Sequence, residues 1–214
     1  MPTDERATTI PLPKEMQGIK VVVDDVTAPL YFGSAGQINF QIPMETALGE
    51  PRFGLPGLRQ ALVSVDSSGK PSGIAPAFIL ADAPAIFTYT SAAAVLEPVI
   101  VHADGSLVTP ESPARPGEIV VIFFTGLGSV TNPPATGEAA SASPISVANA
   151  PVAVRVGRNL ANVLFTGLTA GFVGLAQLNI QLPDVLPTGG RAAIQIRIGG
   201  VASRPIEMAV SAGP

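Results

Sequence analysis

Very few residues of this sequence are of a type that carries out chemistry. The chain of 214 residues contains one histidine, His102, and no cysteine. A hydrolytic triad needs a histidine beside a nucleophilic serine and an orienting acid, and the sequence has no Gly-x-Ser-x-Gly nucleophile motif. His102 ends a short apolar stretch before the turn-forming residues 103–106, which predicts a solvated position on a hairpin. We therefore expect no catalytic residue and a protein that is not an enzyme.

Ligands for a metal or a nucleotide are also scarce. Zinc sites take three or four N or S ligands, more than one histidine can supply. Calcium takes six to eight oxygens, but the acids occur singly or in adjacent pairs, and the candidate acids are predicted to be turn residues. The Gly-Leu-Gly at 126–128 lacks the third glycine and the helix of a dinucleotide site. We expect neither metal nor cofactor. The acids considered are Asp24, Asp25, Asp66, Asp82 and Asp104.

Two nearly identical stretches provide the framework of the chain. Residues 37–43 read Gln-Ile-Asn-Phe-Gln-Ile-Pro, and residues 177–183, 140 positions later, read Gln-Leu-Asn-Ile-Gln-Leu-Pro. Amides alternate with large apolar residues in both, and this period of two is typical of a half-buried strand. We call this stretch the repeat motif and assign a structural role to eight of its residues: Gln37, Asn39, Gln41, Pro43, Gln177, Asn179, Gln181 and Pro183.

The amides of the repeat motif allow two interpretations. Three amides on one strand face could form a hydrogen-bonding ladder for a glycan or for a strand of another chain. Alternatively, they lie on a solvated or inter-domain face and satisfy loop backbone groups, because buried polar groups need partners. Their occurrence in both halves indicates a need that two units share, which favours the structural interpretation.

Other alternating segments occur in the same order around both copies of the motif. Glycine and proline contribute 22 residues each and separate these segments into short strands. The sequence therefore predicts an all-β fold of two tandem immunoglobulin-like β-sandwiches formed by internal duplication, with a single larger sandwich as the alternative. The matching segments are 18–23 with 151–156, 28–32 with 161–165, and 60–65 with 193–198.

The repeat also predicts the domain boundaries. Residues 1–9 are polar and are predicted to be a flexible tail. The first sandwich is expected at 10–88 and the second at 89–214, with extra strands over about 98–124 at its start. An irregular loop rich in glycine and proline is predicted over 44–58.

Charge and hydropathy narrow the classes of partner. Charged residues make up 13% of the chain, the net charge is −4, and no basic stripe is present, so nucleic acid is not an expected partner. The longest strongly apolar run, residues 119–124, has the length of a strand and not of a membrane span. Residues 1–9 do not form a signal peptide. The hydrophobic share of 47% predicts folded domains.

Several stretches resemble one known family in the same order along the chain. Residues 33–43 resemble the "SPGQINFQVP" signature of an uncharacterised domain family found at the C-termini of secreted proteins from Acidobacteria, including Solibacter. The resemblance covers residues 18–210, but Ala35 and Ala170 stand where the family often has proline. The other matching stretches are 83–87 with "APGIF", 104–107 with "DGSL", 116–128 with "PGD…TGLG", and 171–179 with "PGFVGLYQVN".

The resemblance implies an extracytoplasmic β-sandwich module that is attached to larger surface or secreted proteins, and it implies no catalytic residue. We therefore expect a non-enzymatic structural or adhesion module, outside the cell or at its surface. One alternative is a self-assembling subunit of an extracellular filament or layer, in which Ile10–Pro13 could be the donated strand. A further alternative is a glycan-binding accessory module, although aromatic residues are only 5% of the chain. The expected partners are thus another protein, a second copy, or a cell-surface glycan.

Overall fold

The computed structural model of the chain describes residues 4–46 and 58–211. All regular structure in these ranges is β, and the ladders between strands are antiparallel, which confirms the all-β prediction. Since the described residues contain no helix, none of them forms a helical membrane span. Residues 47–57 of the predicted loop and residues 1–3 of the predicted tail lie outside the described residues.

The chain divides into two units, each of which combines stretches that are distant in sequence. The first break along the chain falls between Ala81 and Asp82, not at the predicted 88/89 boundary. Two later stretches belong to the first unit, an arrangement that alternation of apolar residues does not indicate. Unit 1 consists of Met1–Ala81, Pro133–Ala142 and Ala170–Gly174, and unit 2 of Asp82–Asn132, Ser143–Thr169 and Leu175–Pro214.

The described residues of unit 1 form eight strands in two sheets. One sheet has the order β1-β4-β5, and the other has the order β3-β2-β6-β7 with β8 also paired to β6. β1 lies within the predicted flexible tail and pairs with β4, whose edge offers free backbone groups. The strands are β1 Glu5–Arg6, β2 Ile19–Val23, β3 Val26–Ala28, β4 Leu30–Gly33, β5 Ile38–Phe40, β6 Arg59–Ser67, β7 Lys70–Pro71 and β8 Ala75–Ile79.

The described residues of unit 2 form twelve strands. Its larger sheets have the orders β12-β13-β17-β16, with β9 on β13, and β15-β14-β18-β19, with β20 on β18. β10 and β11 form a separate hairpin. The strands are β9 Ala85–Ile86, β10 Thr88–Thr90, β11 Leu96–Pro98, β12 Ile100–His102, β13 Ile119–Thr125, β14 Val152–Val156, β15 Asn159–Leu160, β16 Asn162–Leu168, β17 Ala176–Gln181, β18 Arg191–Ile198, β19 Val201–Ala202 and β20 Ile206–Ala209.

Strands β2–β8 of unit 1 correspond one to one to strands β14–β20 of unit 2. The sheet order β3-β2-β6-β7 of the first unit matches β15-β14-β18-β19 of the second. Val21 lies opposite Val65, and Val154 lies opposite Ile196 at the equivalent place. Even an irregularity is repeated, since the register shifts between Leu30 and Phe32 and between Val163 and Phe165. The repeat motif forms β5 and β17 within this shared arrangement.

Equivalent hairpin turns follow β6 and β18. Ser68 and Gly69 have φ angles of 53° and 79°, and Gly199 and Gly200 have φ angles of 54° and 93°. Two successive residues at positive φ are the signature of the two-residue hairpin turn that suits twisted strands. Glycine tolerates these angles, and β7 and β19 pair back onto β6 and β18 directly after the turns.

Each unit has its own sandwich-like core, built from alternate residues of its two sheets. In unit 2 the inward side chains of β13 and β17 share one cluster with those of β14 and β18. The cluster of unit 1 is smaller and several of its members are only partly buried. Fully buried residues of unit 2 include Val120, Ile122, Phe124, Leu178, Ile180, Val154, Ile194 and Ile196, and those of unit 1 include Val21, Val23, Ala28, Leu30 and Ala61.

Candidate functional site

The first two amides of the repeat motif make the same hydrogen bond in both units. Gln37 Nε2 donates to Asn39 Oδ1 at 2.7 Å, and Gln177 Nε2 donates to Asn179 Oδ1 at 3.3 Å. Residues two apart on a strand point to the same face, which explains the contact. Both amides are exposed in unit 1 and half-buried in unit 2.

The last amide of each motif binds loop backbone. Gln41 Oε1 accepts a hydrogen bond from the N–H of Gly137 at 2.8 Å, and Gln181 Nε2 donates to the carbonyl of Gly117 at 3.3 Å. These bonds support the structural interpretation of the amides, because each side chain satisfies its own unit. The carbonyls of the motif prolines also accept hydrogen bonds from loop residues. The N–H of Thr46 donates to the Pro43 carbonyl at 3.0 Å, and the N–H of Gly117 donates to the Pro183 carbonyl at 3.3 Å.

The two motif strands differ at one edge. β17 is central in its sheet, with β16 on one side and β13 on the other. β13 runs antiparallel to it and places Val120 opposite Ile180 and Ile122 opposite Leu178. β5 pairs with β4, but no strand of the described residues pairs with its second edge. The place that β13 fills in unit 2 therefore has no counterpart strand in the described part of unit 1.

A cleft of about 340 Å³ lies along this open edge. Residues 34–38 and Phe40 line it from β5 and the turn before it, and Val21, Val63 and Val65 line it from the facing sheet. None of these side chains is charged. The cleft is thus an apolar space between the two sheets of unit 1, with an uncharged turn at its rim.

Equivalent core side chains are more exposed in unit 1 than in unit 2, as expected beside the open edge of β5. Core positions of β17 and β18 are fully buried in unit 2, whereas their equivalents on β5 and β6 are half-buried in unit 1. Partly exposed apolar side chains of this kind forfeit part of the stabilisation that full burial provides. The equivalent pairs are Leu178 with Ile38, Ile180 with Phe40, Ile194 with Val63, and Ile196 with Val65.

His102 has an acid and a serine beside it, which sequence reasoning did not foresee. His102 Nδ1 lies 2.5 Å from Glu118 Oε1, and its Nε2 lies 3.2 Å from Ser112 Oγ. The β12–β13 pairing brings the first two together, because His102 is opposite Val120, two residues beyond Glu118. These three groups have the order of an acid–histidine–serine triad.

The proton arrangement nevertheless differs from that of a triad. His102 Nε2 also lies 3.1 Å from the backbone carbonyl oxygen of Ser112, which can only accept a hydrogen bond, so we place a proton on Nε2. The hydrogen bond to Glu118 and, to a lesser extent, the Ser112 carbonyl raise the pKa of His102, while partial burial opposes the rise. With its proton directed at the Ser112 carbonyl, Nε2 has no free lone pair to accept the serine proton, as a general base must.

Three of the candidate acids, Asp24, Asp66 and Asp104, serve turns or an ion pair. Asp24 Oδ2 lies 2.6 Å from Arg59 Nη2, and its Oδ1 accepts the N–H of Leu62 at 2.9 Å. Asp104 accepts hydrogen bonds from Ser106, and the hydroxyl bond lowers the pKa of that carboxyl. Burial raises the pKa of Asp82. No group of three or more metal-ligating side chains occurs among residues 4–46 and 58–211. Asp66 accepts the N–H of Gly69 in its hairpin turn.

A buried ion pair in unit 2 was also missed from the sequence. Arg191 donates two hydrogen bonds to Glu97, at 3.1 and 2.6 Å, and a third to the carbonyl of Glu207 at 3.0 Å. Glu97 is only 2% exposed. The partners are 94 residues apart, so no local pattern links them. The paired fork geometry is the one that arginine and carboxylate favour.

Comparison with known proteins adds no family assignment. No protein-family model matches the chain, and no curated protein is significantly similar to it. The strand pairing and side-chain contacts define the class of protein, which is an all-β, sandwich-like protein with two related units.

Proposed function

We propose that this chain is a non-enzymatic structural or adhesion module of a secreted or cell-surface bacterial protein, built as two immunoglobulin-like β-sandwiches in tandem. One observation carries the proposal: the arrangement of seven strands, with its bulge, occurs twice. The repeated amides bind loops of their own unit, which supports a framework that presents a surface for contact.

Two further observations support the proposal. The histidine that could serve a hydrolase is hydrogen-bonded to Glu118 through Nδ1, and its Nε2 lies 3.1 Å from the backbone carbonyl oxygen of Ser112. The stretches at 33–43 and 171–179 resemble a domain family of secreted acidobacterial proteins. Both are consistent with a role outside the cell that depends on folding and contact.

The non-enzymatic part is tested with a reagent that labels activated serine. We expect no labelling of the purified chain by a fluorophosphonate probe, and none of its Ser112→Ala variant. The Ser112→Ala variant is the matched control, because Ser112 is exposed and its loss should leave the fold intact. Labelling of the wild-type chain that Ser112→Ala abolishes would overturn the proposal in favour of a serine hydrolase.

The location and the role are tested in the cells that carry the protein. Antibodies against the purified chain should find it outside the cytoplasmic membrane, in the envelope fraction or in the medium. Beads coated with the chain should adhere to envelope material more than beads coated with a heat-unfolded sample. A cytosolic location, or equal adhesion of both bead preparations, contradicts the proposed role.

A further inference from the structure

The internal duplication shows what is missing beside the first motif strand. In unit 2, β13 pairs with β17 through six residue pairs, from Ile119 opposite Gln181 to Phe124 opposite Ala176. Its inward residues Val120, Ile122 and Phe124 are all 0% exposed and belong to the core. The same edge of β5 has no strand in the described part of unit 1. The described part of unit 1 thus has no counterpart of these three large apolar side chains.

The cleft has the properties of a strand acceptor. Its floor side chains Val21, Val63 and Val65 belong to the facing sheet, and Ile38 and Phe40 flank it. Four of these five are half-buried, although their unit 2 equivalents are fully buried. An added strand would supply main-chain hydrogen bonds to β5 and alternate apolar side chains to the cleft, as in recognition by β-augmentation. The uncharged lining selects a segment without charges at its inward positions.

A strand from a second copy is not readily available. All twenty strands of the described residues already pair within the chain. The segment Ile10–Pro13, the donor considered from sequence, is also engaged: Leu12 N–H donates to Gly137 at 2.8 Å, and Pro13 accepts from Leu30 at 2.8 Å. Leu12 is moreover buried, at 8% exposure. A donor from a different polypeptide fits these contacts better than a second copy does.

We propose that the open edge of β5 binds an extended segment of another polypeptide, antiparallel to β5, whose alternate residues are apolar and enter the cleft. β13 of unit 2 is the internal template for this segment, with a β-branched or aromatic residue at three successive inward positions. The inference deepens the proposed function by naming an adhesive surface and its partner. It is tested with purified protein, so a wrong cellular location and a failed strand addition are distinguishable results.

The register of the template permits a disulfide test, because the chain has no cysteine of its own. Val121 lies opposite Asn179 in unit 2, and Asn39 is the equivalent of Asn179. The probe is a synthetic peptide of residues 118–125 with lysines added at both ends for solubility and with Val121→Cys. It is mixed with the full chain carrying Asn39→Cys, an exposed position where substitution should leave the fold intact.

Two matched controls come from the structure. The chain with Asn179→Cys presents the same motif position at an edge that β13 already occupies. The peptide with Val120→Cys carries the thiol on the inward face, away from Asn39→Cys. We expect the designed pair to crosslink more than about tenfold faster than either control, because pairing makes the reaction effectively intramolecular.

Hydrogen exchange provides a measurement that needs no variant. Added wild-type peptide should slow exchange of the β5 amides Ile38–Phe40 and leave those of β17 unchanged. Equal crosslinking of the designed pair and the controls, or no protection of β5 at saturating peptide, would overturn the inference. A disulfide-linked dimer of the Asn39→Cys chain in the absence of peptide would assign the edge to a second copy and overturn the proposed partner.

Discussion

Matched truncations in the two motif strands should differ strongly in their effect on stability. Leu178 on β17 is fully buried, whereas its equivalent on β5, Ile38, is half-buried beside the cleft. Leu178→Ala and Ile38→Ala each remove three carbon atoms. At about 0.8 kcal/mol for each buried carbon, the transfer contribution is about 2.4 kcal/mol at full burial. A closed cavity adds to this value, so we expect Leu178→Ala to lower the free energy of unfolding of unit 2 by about 3–4 kcal/mol.

Ile38→Ala should destabilise unit 1 by only about 1 kcal/mol, because the removed atoms are already partly in water and the space left opens to the cleft. Urea unfolding measures both values. The chain has no tryptophan and two tyrosines, with Tyr31 in unit 1 and Tyr89 in unit 2. A Tyr89→Phe background leaves Tyr31, whose fluorescence reports on unit 1. A Tyr31→Phe background leaves Tyr89, which reports on unit 2. The reasoning is refuted if Ile38→Ala costs unit 1 as much as Leu178→Ala costs unit 2.

Three further predictions concern unit 2. Glu118 raises the pKa of His102 in the folded state, so the His102–Glu118 interaction stabilises unit 2 at low pH and this stabilisation is lost as the pH rises through the raised pKa. Thermal melts across this pH range should show the loss. The Glu118→Gln variant should show no such pH dependence. Arg191→Met leaves the buried carboxylate of Glu97 unpaired and should cost about 2 kcal/mol in urea unfolding, a value reduced because the arginine side chain is 34% exposed. No change would mean that solvent already screens the pair. Gly126→Ala places a Cβ against a backbone carbonyl at a φ of +77° and should reduce the soluble folded yield, whereas normal yield and melting temperature would contradict the tight packing.

The elements that follow from local alternation were predictable. The apolar run at 119–124 became β13, and the alternating residues at 193–198 lie in β18 with their isoleucines inward. Periodicity reports which residues of a strand share a face, and it needs only neighbours in sequence. The hairpin turns at 68–69 and 199–200 follow equally from local chemistry.

What escaped prediction depends on contacts between distant residues. The motif at 37–43 and its copy at 177–183 have nearly the same sequence, but among the described residues β13 pairs with the second copy and no strand takes the same place beside the first. His102 and Glu118 are 16 residues apart and meet through strand pairing. No single-sequence pattern encodes which strand becomes the neighbour of another.

Unit 1 is built from three stretches that are far apart in sequence, and this affects when it can fold during synthesis on the ribosome. Leu12 N–H donates to the carbonyl of Gly137 at 2.8 Å, and the Tyr31 hydroxyl donates to the carbonyl of Val173 at 2.7 Å. Unit 1 therefore cannot complete its hydrogen bonds until residues beyond 170 have left the exit tunnel, although most of it is translated first. A nascent chain stalled before that point holds an unfinished N-terminal unit, although residues 1–81 have already been made.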